Sequence, residues 1–250
     1  MPWIALAGVV LAIGVNAGMD AAGMSGLSFA SLLPLALALW GIQRLSRQAM
    51  GIAFGRWVCY ALAVLHPVLV IGVMAVVCLA AGVIDATKVD WLQAGNEVLK
   101  NAALGIPLAV LTEEAFFRGW LFGSLRKAGL DELETVIWTA VAFSLWHIPA
   151  FVMSTEDAVP LAQLPVFLVN AVVIGGIWAM MRLISGSIVV SSVSHAIWNA
   201  AVYVLFGFGT TVGALGVNQT ALYGPESGVL GLALNLFVAA GIWLWWRRCP

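Results

Sequence analysis

Charged residues are scarce in this sequence, and their scarcity decides the class of protein. Only 9% of the 250 residues are Asp, Glu, Lys or Arg, whereas 62% are hydrophobic. A soluble globular domain carries roughly 25% charged residues. The composition therefore excludes an ordinary water-soluble domain and predicts an integral membrane protein. We expect the lipid bilayer as its surroundings and no nucleic-acid partner.

Cysteine is rarer still, with three residues in the chain, Cys59, Cys78 and Cys249. The first two fall in one predicted helix, 19 residues apart in the sequence, which separates them by about 28 Å along the helix axis. A disulfide needs its Cα atoms within about 7 Å. With no CxxC motif present, the sequence excludes a disulfide framework and a cysteine-based metal site.

Long apolar runs fill most of the remaining sequence. They are hydrophobic on every face, whereas the strands of a membrane barrel would alternate with a period of two. We therefore predict an all-α, polytopic membrane helix bundle of about eight transmembrane helices. It forms a single domain over residues 1–250, with a motif-bearing core at about 98–206. The predicted spans are 1–18, 27–43, 57–84, 98–121, 135–153, 161–181, 188–206 and 227–246.

The basic residues between the spans predict the orientation in the membrane. Loops on the cytoplasmic side are enriched in Lys and Arg. The loops on one side hold eight basic residues, whereas the opposite loops hold Lys88. We expect both termini in the cytoplasm, and a bacterial inner or cell membrane as the location. The eight basic residues are Arg44, Arg47, Arg56, Arg126, Lys127, Arg182, Arg247 and Arg248.

One of the predicted spans contains charges. The segment "LTEEAFFRGW", residues 111–120, places Glu113, Glu114 and Arg118 in apolar surroundings. Each such group costs about 2.5–3.5 kcal/mol to insert. Glu114 and Arg118 are four residues apart, so they can pair on one helix face. Glu113 points about 100° away and lacks this partner, which suits a general base.

Two later spans carry matching polar groups. His147 follows Phe143 by four residues in "FSLWH", and Asn199 follows His195 by four residues in "HAIWN". At about 1.5 Å per residue, Glu113 lies ~15 Å, His147 ~18 Å and His195 ~12 Å from the cytoplasmic side. Three spans thus bring polar groups to a similar depth, which predicts one site between them.

The three motifs together resemble a known family. "EEAFFR" fits EExxxR, "FSLWH" fits FxxxH and "HAIWN" fits HxxxN, in that order on successive membrane helices. This set is similar to the CPBP family of intramembrane endopeptidases, also called the CAAX protease or Abi family. The motifs cover residues 113–199. The resemblance implies an all-helical fold and hydrolysis of a peptide bond in a membrane-associated protein or peptide.

The resemblance also implies roles for these residues. Glu113 and His147 would activate a water, and His195 and Asn199 would stabilise the oxyanion. Glu114, Arg118 and Phe143 would support them. We favour a glutamate-type reaction without a required cofactor. The alternative is a zinc enzyme with Glu113, His147 and His195 as ligands, although the HExxH pattern is absent.

Other functions and other residues have their own interpretations. Polar groups at mid-membrane also suit a transporter or proton relay, and a non-catalytic immunity or scaffold protein could keep the same fold. His66 is predicted to bond backbone freed by Pro67. Trp178 and Trp198 are predicted to be packing or interface residues. We expect the glycine-rich segment 207–226 to be a flexible connector rather than a lid.

Overall fold

The structure, a computed structural model, describes residues 2–153 and 159–248, so Cys249 lies outside the described residues. The described chain is almost entirely helical, as predicted, and its one sheet is a short hairpin. The α-helices are α1 Pro2–Ala21, α2 Leu32–Gln43, α3 Cys59–Ala80, α4 Trp91–Leu111, α5 Phe122–Lys127, α6 Glu132–Met153, α7 Leu164–Ser185, α8 Ile188–Ala201, α9 Thr220–Tyr223 and α10 Val229–Arg248. The 3-10 helices are Ser25–Ser31, Ala86–Lys88 and Leu161–Gln163, the π-helical segments are Ala115–Leu121 and Val202–Phe206, and the strands are β1 Gly207–Phe208 and β2 Thr211–Val212.

All eight predicted spans coincide with helices, and six helices of the described chain are long and apolar enough to cross a membrane. Two predicted spans differ from this pattern. The apolar helix Leu27–Gln43 is shorter than a full span. The helix α4 carries Glu97 and Lys100, which lower its hydropathy. The protein is therefore an all-helical, integral membrane bundle, with about eight membrane segments of unequal length.

The helix α8 lies at the centre of the bundle. It packs against α3, α4 and α7, while α6 packs against α1 and α7. Its serines Ser191, Ser192 and Ser194 are fully buried. The hydroxyls of Ser191 and Ser192 donate to the carbonyl of Ile188, one turn earlier. Because Ser191 and Ser192 donate within the helix and Ser194 bonds Trp178 and His66, α8 can be buried despite its polar stripe.

The predicted span 98–121 is not one regular helix. The helix α4 ends at Leu111, and Thr112 has φ −117° and ψ −99°, outside the helical region. The chain then continues through Glu113 and Glu114 into the π-helical segment Ala115–Leu121. π-Helical segments are rare and occur frequently at functional sites. The irregular backbone here directs the two carboxylates into the interior of the bundle.

The segment 207–226 contributes residues to the wall of the central cavity. The strands β1 and β2 pair antiparallel, with Phe208 opposite Thr211. Both residues line the central cavity, as does Glu226 at the end of the segment. This segment is therefore built against the interior, a closer association than the flexible connector that we predicted.

Candidate active site

Residues of all three motifs meet at one cavity inside the bundle. The cavity has a volume of about 400 Å³ and is lined by Glu113, His147, His195 and Asn199, among others. They come from the turn after α4, from α6 and from α8. A second cavity of about 470 Å³ opens beside α4 and also reaches Glu113, His195 and Asn199. Glu113, His147 and His195, for which the sequence predicts a similar depth, thus also lie side by side at one cavity.

His195 lies between the two carboxylates. Its Nδ1 is 3.0 Å from Oε1 of Glu114, and its Nε2 is 3.8 Å from Oε2 of Glu113. An ionised carboxylate only accepts hydrogen bonds, so Nδ1 carries the proton in this arrangement. Nε2 is then an acceptor in the neutral ring and a donor in the imidazolium. Glu114 therefore fixes which nitrogen of His195 faces the reacting side of the cavity.

Glu114 and Arg118 form the ion pair that their spacing predicts. Nη1 of Arg118 donates to Oε1 of Glu114 at 2.9 Å, and both side chains are 0% exposed. Nη2 of Arg118 donates to the carbonyl of Gly175 on α7 at 3.1 Å. A Cβ at Gly175 would lie 3.2 Å from the ring of Phe143 and 3.4 Å from Arg118. Glycine at this position therefore lets α7 approach the guanidinium.

Phe143 and His147 extend this arrangement along α6. The guanidinium of Arg118 lies 4.3 Å from the ring centroid of Phe143, a cation–π contact. The ring of Phe143 in turn meets the ring of His147 edge to face, at 4.6 Å between centroids. Nδ1 of His147 donates to the carbonyl of Phe143 at 2.7 Å. In the neutral ring this leaves Nε2 as an acceptor, which is what a base acting on water requires.

Asn199 differs from its neighbours because its side chain is half-buried and makes no hydrogen bond to the described residues. It lines the cavity one helical turn after His195. Its amide can therefore donate to a group that enters the cavity, as oxyanion stabilisation requires.

Trp178 is a site residue that sequence reasoning missed, because it was taken as a packing or interface residue. Its ring stacks on His195 with centroids 4.0 Å apart and 16° between the planes. Its Nε1 donates to Oγ of Ser194 at 3.2 Å, which fixes the ring. Tryptophan is too common in this chain, with 12 copies, for its position to have been singled out.

The zinc alternative can be tested against the arrangement of the side chains. Within residues 2–153 and 159–248, no group of three or more His, Cys, Asp or Glu side chains is arranged to hold a metal ion. Nδ1 of His147 and Nδ1 of His195 are both engaged in hydrogen bonds. Within these ranges Glu113, His147 and His195 do not form a ligand cluster, while the bonded Nδ1 atoms would suit histidines that bind a metal through Nε2.

Comparison with known protein families gives a match to the motif-bearing part of the chain. A family model with the description "Type II CAAX prenyl endopeptidase Rce1-like" matches residues 96–201. Among curated proteins no match is found. The matched segment contains all three motifs and the helices that carry them. The resemblance to the CPBP, or CAAX protease, family is therefore confirmed over residues 96–201, and at the level of the family it supports an intramembrane protease role.

Proposed function

We propose that this protein is an intramembrane endopeptidase that hydrolyses a peptide bond of a membrane-associated protein or peptide with a water activated by Glu113 and His147. The observation that carries the proposal is the shared cavity of Glu113, His147, His195 and Asn199. Hydrolysis needs a base for the water and donors for the developing oxyanion. These four side chains supply both.

In the proposed reaction Glu113 takes a proton from the water, and the hydroxide adds to the substrate carbonyl carbon. His147 accepts the second hydrogen of that water through Nε2 and so orients it. The carbonyl oxygen gains negative charge and accepts hydrogen bonds from the amide of Asn199 and from Nε2 of His195. His195 donates from Nε2 only as an imidazolium, and the carboxylate of Glu114 compensates that charge. Glu114 is thus more than a partner for Arg118.

We further propose that the reaction needs no metal. The base, its orienting histidine and the oxyanion donors are all protein side chains that line the cavity. Activity should therefore survive a strong chelator. Loss of activity that zinc alone restores would contradict this part of the proposal.

The substrate can be found without knowing it beforehand. The ends of membrane proteins should be compared between cells that contain this protein and cells that lack it. We expect a set of protein ends, in proteins embedded in or attached to the membrane, that depend on its presence. If no end depends on it, the protein is not an endopeptidase in that cell.

The orientation forms part of the proposal, with both termini in the cytoplasm. Single cysteines placed beside Arg47, beside Arg126 and at the C-terminal end, in a chain without its native cysteines, should react only with a reagent on the cytoplasmic side. The reason is the excess of basic residues in these loops. External labelling at two of the three positions would reverse the orientation.

A further inference from the structure

Glu226 is a carboxyl group at the catalytic cavity that none of the three motifs contains. It lies just before α10 and lines the same cavity as Glu113, His147 and His195. Its side chain is half-buried. An ionisable group in such surroundings is costly, so its position calls for an explanation.

The carboxyl group is held by the helix that carries the oxyanion donors. Nε1 of Trp198, on α8 between His195 and Asn199, donates to Oε1 of Glu226 at 2.9 Å. Trp198 is completely buried, and its ring is parallel to that of His66, with centroids 5.3 Å apart. Trp198 is therefore a buried packing residue, one of the two predicted alternatives, and its ring N–H also holds the carboxyl group of Glu226.

The backbone at Glu226 is held by a buried chain of polar side chains. The amide of Asn170 donates to the carbonyls of Pro225 and Glu226 at 2.8 and 3.0 Å. The amide of Asn235 donates to Oδ1 of Asn170 at 3.1 Å. Asn235 and Ser194 bond the two ring nitrogens of His66 at 3.2 and 3.0 Å. We predicted a bond from His66 to the backbone freed by Pro67. In the structure His66 bonds the side chains of Ser194 and Asn235 instead.

This chain of bonds connects four membrane helices to the backbone at Glu226. Asn170 lies on α7, Asn235 on α10, His66 on α3 and Ser194 on α8. All four are buried, from 0% to 1% exposed. Buried polar networks that are fully bonded fix a single geometry. Glu226 is therefore held at the cavity wall, although it follows a glycine-rich segment.

The acid–base state of Glu226 suits a proton donor. Burial raises its pKa to about 7; the bond from Trp198 and the nearby His195 lower it, while the nearby Glu113 raises it. The other titratable side chains that line the same cavity are Glu113, His147, His195 and Tyr203. A carboxyl group of this kind is protonated in a large fraction of molecules near neutral pH.

We propose that Glu226 is a further catalytic residue, which donates its proton to the nitrogen of the leaving amine. This inference rests on the proposed function and deepens it. When the tetrahedral intermediate collapses, the C–N bond breaks, its electron pair stays on nitrogen, and the carboxyl proton of Glu226 moves to that nitrogen. The proton that Glu113 took from water then returns to Glu226 as the products leave. The sum is one water consumed, with one carboxylic acid and one amine formed.

The test is the pH dependence of cleavage by purified protein in lipid vesicles, with a membrane-anchored peptide that the wild-type protein cleaves. The general acid must be protonated, so the wild-type rate should fall as pH rises through about 7. Glu226→Gln keeps an oxygen that can accept from Trp198, but it has no acidic proton. We expect its rate to fall roughly 10²–10⁴-fold, and its pH profile to lack the part of the fall that depends on the proton of Glu226.

Trp198→Phe sharpens the test because it keeps an aromatic ring and removes the bond to Glu226. Without that bond the pKa of Glu226 should rise, so the fall in rate should move to higher pH. If Glu226 served only to hold Trp198, Glu226→Gln would cleave at the wild-type rate with the wild-type pH profile. That result would overturn the inference.

Two measurements keep the inference testable if Glu226→Gln folds poorly. Thermal unfolding in detergent compares the stability of Glu226→Gln with that of the wild-type protein. The pH profile of the wild-type protein can be measured without any variant. A wild-type rate that does not fall between about pH 6 and 8.5 would overturn the role of Glu226. If Glu113→Gln is inactive and Glu226→Gln cleaves normally, only the role of Glu226 is contradicted. If Glu113→Gln itself cleaves normally, the proposed function is contradicted.

Discussion

Replacing Glu113 by Gln should reduce cleavage of a membrane-anchored reporter at least 10²–10⁴-fold, the contribution of general-base catalysis. The substitution keeps the size and the hydrogen-bonding oxygen of the side chain but removes its ability to take a proton from water. Glu113 is not part of the buried ion pair, so the folded state should survive. Turnover of the reporter by each variant, at matched membrane levels, is the measurement.

Glu97→Gln is the matched control, because it makes the same chemical change on α4. The Glu97 side chain is 45% exposed and pairs with Lys100 rather than with the site. We expect it to cleave at the wild-type rate. A non-catalytic scaffold or binding protein would tolerate both substitutions and would cleave nothing. Equal cleavage by the two variants would contradict the role of Glu113 as the base.

Replacing Arg118 by Ala should lower the stability of the folded protein, because Arg118 takes no part in the proposed reaction itself. It leaves the carboxylate of Glu114 buried without its cation, with both side chains 0% exposed in the folded protein. Breaking one side of a buried ion pair costs about 3–5 kcal/mol. It also removes the bond from Arg118 to Gly175, which connects α7 to the site. Thermal unfolding in detergent and the yield of folded protein measure the loss.

Two variants separate the buried pair from a general effect of losing an arginine. Arg126→Ala removes an exposed guanidinium at the end of α5, and its stability should stay near that of the wild type. Glu114→Gln combined with Arg118→Met removes both charges, so it should recover much of the lost stability. It should not recover activity, because His195 then lacks its carboxylate partner. Equal destabilisation by Arg118→Ala and Arg126→Ala would contradict the buried pair.

The sequence was sufficient for the fold class and for the four motif residues that line the cavity, Glu113, His147, His195 and Asn199. Apolar run length predicts helices directly, because a bilayer demands about 20 residues per span. Glu113, His147 and His195 could be identified because ionisable groups are rare inside membranes. Their common depth follows from the rise per residue. Their lateral contact depends on which helices pack together, and that is determined by side-chain complementarity rather than by spacing.

Other features could not be read from the sequence, for physical reasons. The break at Thr112 lies in an apolar run with no glycine or proline at the point of the break. Glu226 borders a span, where a charged residue normally faces water. A signal was nevertheless present in Asn170 and Asn235, two amides within apolar spans that need partners. Their partners proved to be each other, His66 and the backbone at Glu226.

The most direct test of the central claim uses purified protein in lipid vesicles with a strong chelator present. A panel of membrane-anchored peptides, including prenylated ones with a C-terminal CAAX sequence, is incubated with the wild-type protein and with Glu113→Gln. The products are identified by mass. If water activated at Glu113 hydrolyses the peptide, the wild-type protein should give two products whose masses add up to that of the peptide plus one water. Glu113→Gln should give no product. Equal cleavage by both proteins, or cleavage that appears only when zinc is added, would contradict the claim.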